Sequence, residues 1–162
     1  MKYDREAAVA YAREWALLRN PNYYDFEEIG GDCTNFASQV LYAGSGVMNF
    51  TPHYGWYYRT LNDRAPAWTG VEYFARFLTT NEGAGPYGSF QPLYKALPGD
   101  FIQISFDGIG WQHNVVVLET GELPTPDNIL TASHTYDSIN RAVDTYLFQE
   151  LRLIHIEGVR GG

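Results

Sequence analysis

The chain contains a single cysteine among its 162 residues. One thiol excludes an internal disulfide and any zinc site built from several thiolates, and it leaves the redox state of the compartment undetermined. Histidine is also scarce, with four residues, and none of them stands at a spacing typical of a metal site. We therefore expect neither a bound metal nor a cofactor.

Long apolar runs and basic charge are missing as well. No stretch reaches the roughly 18 apolar residues of a membrane-spanning helix, and the N-terminus lacks the pattern of a signal peptide. Eleven basic against nineteen acidic residues give a net charge of -8, which repels nucleic acid and anionic lipid. We expect neither as a partner, and the sequence indicates no oligomeric state.

Aromatic residues are abundant by contrast, at 16% of the chain, with thirteen tyrosines and four tryptophans. Two interpretations fit this excess. Some rings line a groove for a ligand, as aromatic side chains often do. Alternatively, they replace leucine in a core that is short of aliphatic residues.

The length predicts one domain, residues 1–162, in which helices precede strands. Apolar residues at helical spacing predict a helix after Asp4, a second from Asp32 to Gly44, and a third that begins with a capping box at Thr69. Residues 45–66 have no clean period and predict a long irregular loop. Four runs of β-branched or alternating residues predict strands at 101–106, 114–119, 128–133 and 150–157.

Cys33 is placed at the start of the second predicted helix. The first turn of a helix exposes unpaired backbone N–H groups and the positive end of the helix dipole, both of which lower a thiol pKa. Asp32 is predicted to be the N-cap, with its carboxylate accepting from the Asn35 N–H. A reactive cysteine of this kind needs a general base within hydrogen-bond reach.

His113 opens a buried strand, a position from which a base can face a cleft while packing fixes the strand behind it. The alternative is a partly exposed histidine that ends the preceding turn. His134 ends the next strand, so antiparallel pairing would bring it beside His113, where it could orient the imidazole. Ser133 and Thr131 compete for that third role, and a surface histidine in a polar turn is an alternative. His53 and His155 are interpreted as structural.

Several segments together resemble a known family. They are Gly30 to Gln39, the segments around Trp56 and Trp68, Pro98 to Phe101, His113 to Val117, and Ser133 to Asp137. Over nearly the whole chain they resemble the bacterial putative amidase domain, akin to the NlpC/P60 and CHAP cell-wall hydrolases. The resemblance implies an α+β, papain-like fold, in which N-terminal helices pack on a C-terminal antiparallel β-sheet.

The resemblance also implies roles for individual residues. Cys33 matches the nucleophile, His113 the base and His134 the third polar position. An upstream tyrosine, Tyr23 or Tyr24, would contribute to the oxyanion hole. Further candidates for contact with the oxyanion or the substrate are Asn35, Trp56, Trp68 and Trp111. Because Thr34 and Asn35 replace the Ser-Gly that follows the cysteine in NlpC/P60 enzymes, the substrate preference of those enzymes does not carry across.

These observations predict a cysteine amidase or peptidase that cleaves an amide bond through a thioester. The substrate would be an amide or peptide, with peptidoglycan as one example, and the resemblance implies a secreted or cell-envelope protein. One alternative is a carbohydrate- or peptidoglycan-binding module in which tryptophans stack on sugars. Others are an acyltransferase that uses the same two residues and a purely structural partner domain.

Overall fold

The computed structural model describes residues 1–162 as a mixed α/β fold with four α-helices and two antiparallel sheets. The helices are α1 (Arg5–Trp15), α2 (Cys33–Ser45), α3 (Pro66–Thr69) and α4 (Val71–Thr80). The small sheet pairs β1 (Tyr58–Thr60) with β2 (Asp63–Arg64). The strands of the large sheet are β3 (Gly85–Gln91), β4 (Phe101–Ser105), β5 (His113–Glu119), β6 (Leu130–Ser133), β7 (Ser138–Ala142) and β8 (Glu150–Arg160). None of the helices is long and apolar enough to cross a membrane.

The large sheet has the strand order β3-β8-β4-β5-β6-β7 and separates two hydrophobic cores. Phe101 pairs with Val116, and both side chains join the larger core, which also contains the apolar residues of α1, α2 and α4. The adjacent pair, Ile102 with Val115, joins the smaller core on the other side. Because successive side chains of a strand alternate, every sheet residue belongs either to this helix face or to the opposite outer face.

Helices α1 and α2 are fastened together at the start of α1. Asp4 caps α1 by accepting from the Ala7 N–H at 3.0 Å, and its own N–H donates to the Gly44 carbonyl at 2.8 Å. A Cβ at Gly44 would lie 2.4 Å from the Tyr3 ring, so only glycine permits this approach. Helix α2 continues to Ser45 and ends at Gly46 in the left-handed conformation, two residues beyond its predicted end.

The predicted antiparallel sheet is confirmed, and its four predicted strands correspond to β4, β5, β6 and β8. Strands β3 and β7 were not predicted, and they lie at the two edges of the sheet. An edge strand pairs on one side only, so it tolerates the Gly and Pro of β3 and the polar residues of β7. These residue types are not typical of strands, and for that reason β3 and β7 were not recognised in the sequence. The predicted loop 45–66 contains the β1–β2 hairpin, and the predicted capping box is wrong, since Thr69 ends α3 and Gly70 precedes α4 without a side-chain cap.

Candidate active site

Cys33 is the first residue of α2, and 8% of its surface is exposed. Its sulfur lies 3.7 Å from the Thr34 hydroxyl. Burial raises the pKa of the thiol, whereas hydrogen bonds from the Thr34 side chain and from the backbone of Asn114 and Thr34 act in the opposite direction. Burial has the larger effect, so the unliganded site holds a thiol rather than the thiolate that its place on the helix predicts.

Asn114, rather than His113, faces the helix that carries Cys33. Asn114 pairs with Gln103 of β4, whose side chain donates to the Val71 carbonyl of α4 on the helix face. His113 pairs with Ile104, a member of the core on the outer face. The His113 ring lies 5.5 Å from that of Tyr146 and 6.3 Å from that of Phe106, between centroids.

The predicted hydrogen bond between Cys33 and His113 is absent from the structure. The Cys33 thiol meets the backbone of Asn114, the His113 side chain belongs to the outer face, and the buried Nε2 of His113 has no hydrogen-bond partner. The role of His113 as the base for Cys33 stays a prediction. Burial, helped by the positive charge of Arg141, lowers the pKa of His113 to about 4. The sequence places two polar residues, His113 and Asn114, at the start of one strand, and alternation sends one of them to each face.

His134 contacts Asp32, not His113, which corrects its predicted orienting role. Its Nδ1 lies 2.5 Å from a carboxylate oxygen of Asp32, and its Nε2 lies 2.8 Å from the Trp15 carbonyl. Both ring nitrogens therefore lie within hydrogen-bond distance of an oxygen atom. The ring also stacks on Phe36, with centroids 4.1 Å apart. His134 thus joins the start of α2 to the end of α1.

Asp32 precedes α2, but its side chain caps no backbone N–H of the helix. Its carboxylate accepts from the Phe26 N–H at 2.8 Å and from the Asn35 side-chain amide at 2.9 Å, in addition to His134. The Arg19 guanidinium approaches it to 3.7 Å. The predicted cap to the Asn35 N–H is wrong because these partners use the carboxylate.

The alternatives for the third position lie away from Cys33. Ser133 contacts the Tyr146 hydroxyl at 3.2 Å, and the Thr131 hydroxyl donates to the Arg141 carbonyl. Tyr146 belongs to the core of the outer face. Neither Ser133 nor Thr131 therefore orients a group at the thiol.

Three of the predicted substrate residues, Asn35, Trp56 and Trp68, are buried and make contacts within the protein. Trp56 and Trp68 are completely buried and stacked, with ring centroids 4.8 Å apart. Their indole N–H groups donate to Ser38 and to the Asn35 side-chain oxygen at 3.0 Å. Rings in this position cannot stack on a sugar, which removes the main support for a carbohydrate-binding module. The aromatic excess therefore fills the core at these positions.

Tyr23 and Tyr24 lie beside this aromatic cluster. The half-buried Tyr23 ring stacks on Trp68 at 6.0 Å, and burial raises the pKa of its hydroxyl. Tyr24 is 41% exposed, and its backbone carbonyl accepts from Asn35. Neither hydroxyl forms a hydrogen bond with Cys33, so a contribution to an oxyanion hole stays a prediction.

A polar row on the helix face was not singled out by the sequence. It consists of Asn114, Gln103 and Arg152, which are register partners on the adjacent strands β5, β4 and β8. The Gln103 side-chain oxygen accepts from the Arg152 guanidinium at 2.9 and 2.6 Å. The half-buried Trp111 covers that guanidinium at 4.2 Å. Alternation of polar and apolar residues in β4 is the signal that could have indicated this row.

The chain belongs to a family of amidases. The family model described as "Putative amidase domain" matches residues 2–156, which is almost the whole chain. Membership supports hydrolysis of amides as the general activity.

One relative is the "Uncharacterized protein YhbB" of Bacillus subtilis (strain 168), which is 31% identical over 142 residues. The alignment covers 85% of this chain and 43% of the relative, so the chain spans less than half of that protein. No solved structure matches the chain. The papain-like fold implied by the resemblance to NlpC/P60 domains therefore stays a prediction.

Proposed function

We propose that this protein hydrolyses an amide bond with Cys33 as the nucleophile. The observation that carries the proposal is the position of the only thiol, at the first residue of α2, with its sulfur beside the Thr34 hydroxyl and the backbone of Asn114. These groups and the helix N-terminus favour negative charge at the sulfur and on an adjacent oxyanion. Family membership supports an amide as the bond that is cleaved.

The chemistry follows the usual course of covalent catalysis. The Cys33 thiolate attacks the amide carbonyl, the amine departs with a proton, and water then hydrolyses the thioester to an acid and the free thiol. No histidine side chain forms a hydrogen bond with Cys33, so deprotonation depends on the thiol's own raised pKa. We therefore expect turnover to rise with pH through that pKa, without the neutral optimum of a cysteine–histidine pair.

The packing of α2 on an antiparallel sheet supports the papain-like assignment, in the broad sense that covers NlpC/P60 and CHAP domains. Peptide amides, including the stem peptides of peptidoglycan, are accordingly the first compounds to assay. The alignment covers 43% of the relative, so the activity of a whole protein of that length is not known from this chain. Activity on an intact cell wall is therefore part of the same proposal.

The test is turnover of a panel of peptide amides by the wild type and by Cys33→Ser from about pH 6 to about pH 10, a range that extends above the ordinary thiol pKa. We expect product with the wild type alone, at a rate that rises with pH, and a thioester detectable by mass spectrometry. Equal rates for the two proteins would contradict the proposal. Adding a primary amine separates hydrolysis from acyl transfer, since an amide product in place of the acid indicates a transferase.

A second function is favoured by the position of Asn114. Its side chain is 1% exposed, and neither its oxygen nor its nitrogen has a partner. The Asn114 backbone meets the thiol and its side-chain amide is unpaired, while no histidine forms a hydrogen bond with Cys33, so this site could bind an amide ligand without cleaving it. Binding of peptide amides with equal affinity by the wild type and Cys33→Ser, with no product at any pH, would support this function instead.

A further inference from the structure

Arg152 is a cation without a carboxylate partner. Its guanidinium lies over the rings of Trp111 and Phe90, 4.2 and 4.9 Å from their centroids. Its Nε and Nη2 share one acceptor, the side-chain oxygen of Gln103, and its Nη1 has no hydrogen-bond acceptor. Arg19 differs sharply, because four carboxylates surround it.

The charge of Arg152 is only weakly compensated by the protein. Burial lowers the pKa of its guanidinium, and the acidic side chain that acts in the opposite direction is Glu72, in the first turn of α4. The two residues form no ion pair. A guanidinium already ordered by two rings and a glutamine loses little side-chain freedom when it binds an anion, and its fork of N–H groups matches a carboxylate.

Arg152 lies on the same row as Asn114, whose backbone meets the Cys33 thiol. Neighbouring strands are about 4.8 Å apart, so the backbones of Arg152 and Asn114, two strands apart, are separated by about 10 Å. The buried Asn114 side chain offers an unused donor and an unused acceptor, which complement an amide group. The row therefore has an unpaired amide at Asn114, whose backbone meets the thiol, and an unpaired cation at its far end, with the buried Gln103 between them.

We propose that the two ends of the polar row belong to the substrate site, where Asn114 binds the amide to be cleaved and Arg152 Nη1 binds a carboxylate of the same compound. This inference rests on the proposed function and names its substrate class, which is acylated acidic amines such as N-acyl amino acids. Trp111, predicted from the sequence as a substrate residue, acts by holding the Arg152 guanidinium in place.

The test compares two alkylating probes of Cys33, N-iodoacetyl-β-alanine and its uncharged carboxamide, at a pH where both react. We expect Arg152→Gln to lower the ratio of the two rate constants, acid over carboxamide, by about tenfold, the effect of one charge-assisted hydrogen bond. Arg59→Gln is the matched control. Arg59 also lies over two rings, those of Phe50 and Tyr57, and its loss changes the net charge equally.

An unchanged ratio in Arg152→Gln, or an equal fall in both variants, would overturn the carboxylate site. Isothermal titration of N-acetyl-β-alanine into Cys33→Ser and Cys33→Ser/Arg152→Gln gives a reading that needs no thiol chemistry. Binding that is lost with Arg152 supports the site even if Cys33 reacts with neither probe, a result that would count against the proposed function alone. Equal binding by the two variants overturns the inference.

Discussion

Asp32 and His134, 102 positions apart in the chain, are joined by a 2.5 Å hydrogen bond. Both side chains are almost completely buried. His134 holds the residue immediately before Cys33 and, through its other nitrogen, the carbonyl at the end of α1. The pair therefore determines where the nucleophile lies without touching its sulfur.

Replacing His134 with glutamine should destabilise the protein by about 3 kcal/mol, because it removes the hydrogen bond that His134 makes with the completely buried Asp32 carboxylate. Urea unfolding at neutral pH measures the change. The double variant Asp32→Asn/His134→Gln should recover part of the loss, since the uncompensated charge is then gone. A single variant as stable as the wild type would mean that Arg19 alone compensates Asp32.

Replacing Asn114 with histidine should create the base that the site lacks. The new imidazole would face Cys33 from the helix face, so the apparent pKa of the thiol should fall by about one unit or more. The pH dependence of iodoacetamide alkylation measures it. His113→Asn is the matched control and should leave the profile unchanged. The reverse pattern, a response to His113→Asn alone, would show that His113 reaches the thiol.

The stability of the protein should fall in acid because of His113. Burial lowers its pKa from 6.5 to about 4. His113 therefore binds a proton below pH 6.5 in the unfolded chain, but only below about pH 4 in the folded protein. Stability is lost as pH falls through this window, by about 3 kcal/mol at most. Urea midpoints of His113→Phe between these pH values should show a flatter dependence. Parallel curves would contradict this environment for His113.

His155 should have the opposite effect. The Asp100 carboxylate, 2.8 Å from its Nδ1, raises the pKa of His155 above 6.5. Its contribution to stability is therefore complete below pH 6.5 and is lost as pH rises through the folded-state value. His155→Gln keeps a hydrogen-bond donor but does not titrate, so its urea midpoint should decline less than that of the wild type above pH 6.5. Identical declines would exclude this linkage.

The sequence was sufficient to locate the main elements near the thiol. Helical spacing placed Cys33 at the start of α2, and runs of β-branched residues located β5 and β8. The sequence did not show which residues of β5 face the helices, because the residues that follow Asn114 are apolar on both faces of the strand. Such a run shows no alternation from which the facing side of His113 can be derived.

The partners of individual side chains were equally out of reach. Asp32 meets His134, and Gln103 meets Arg152, through contacts that only the register of β4, β5, β6 and β8 creates. Trp56 and Trp68 illustrate a different limit. Composition showed an excess of rings, but whether a ring lines a groove or fills the core depends on packing that composition does not contain.

The contact between Gly44 and Tyr3 makes the thiol sensitive to a distant position. One end of α1 is held by the Gly44 carbonyl, and its other end supplies the carbonyl that binds His134. A methyl group at position 44 would push α1 away from α2 and pull on the His134–Asp32 pair at the opposite end of the helices. A displacement of the start of α1 at Gly44 would thus be transmitted along the helix to the His134–Asp32 pair and so to the position of Cys33.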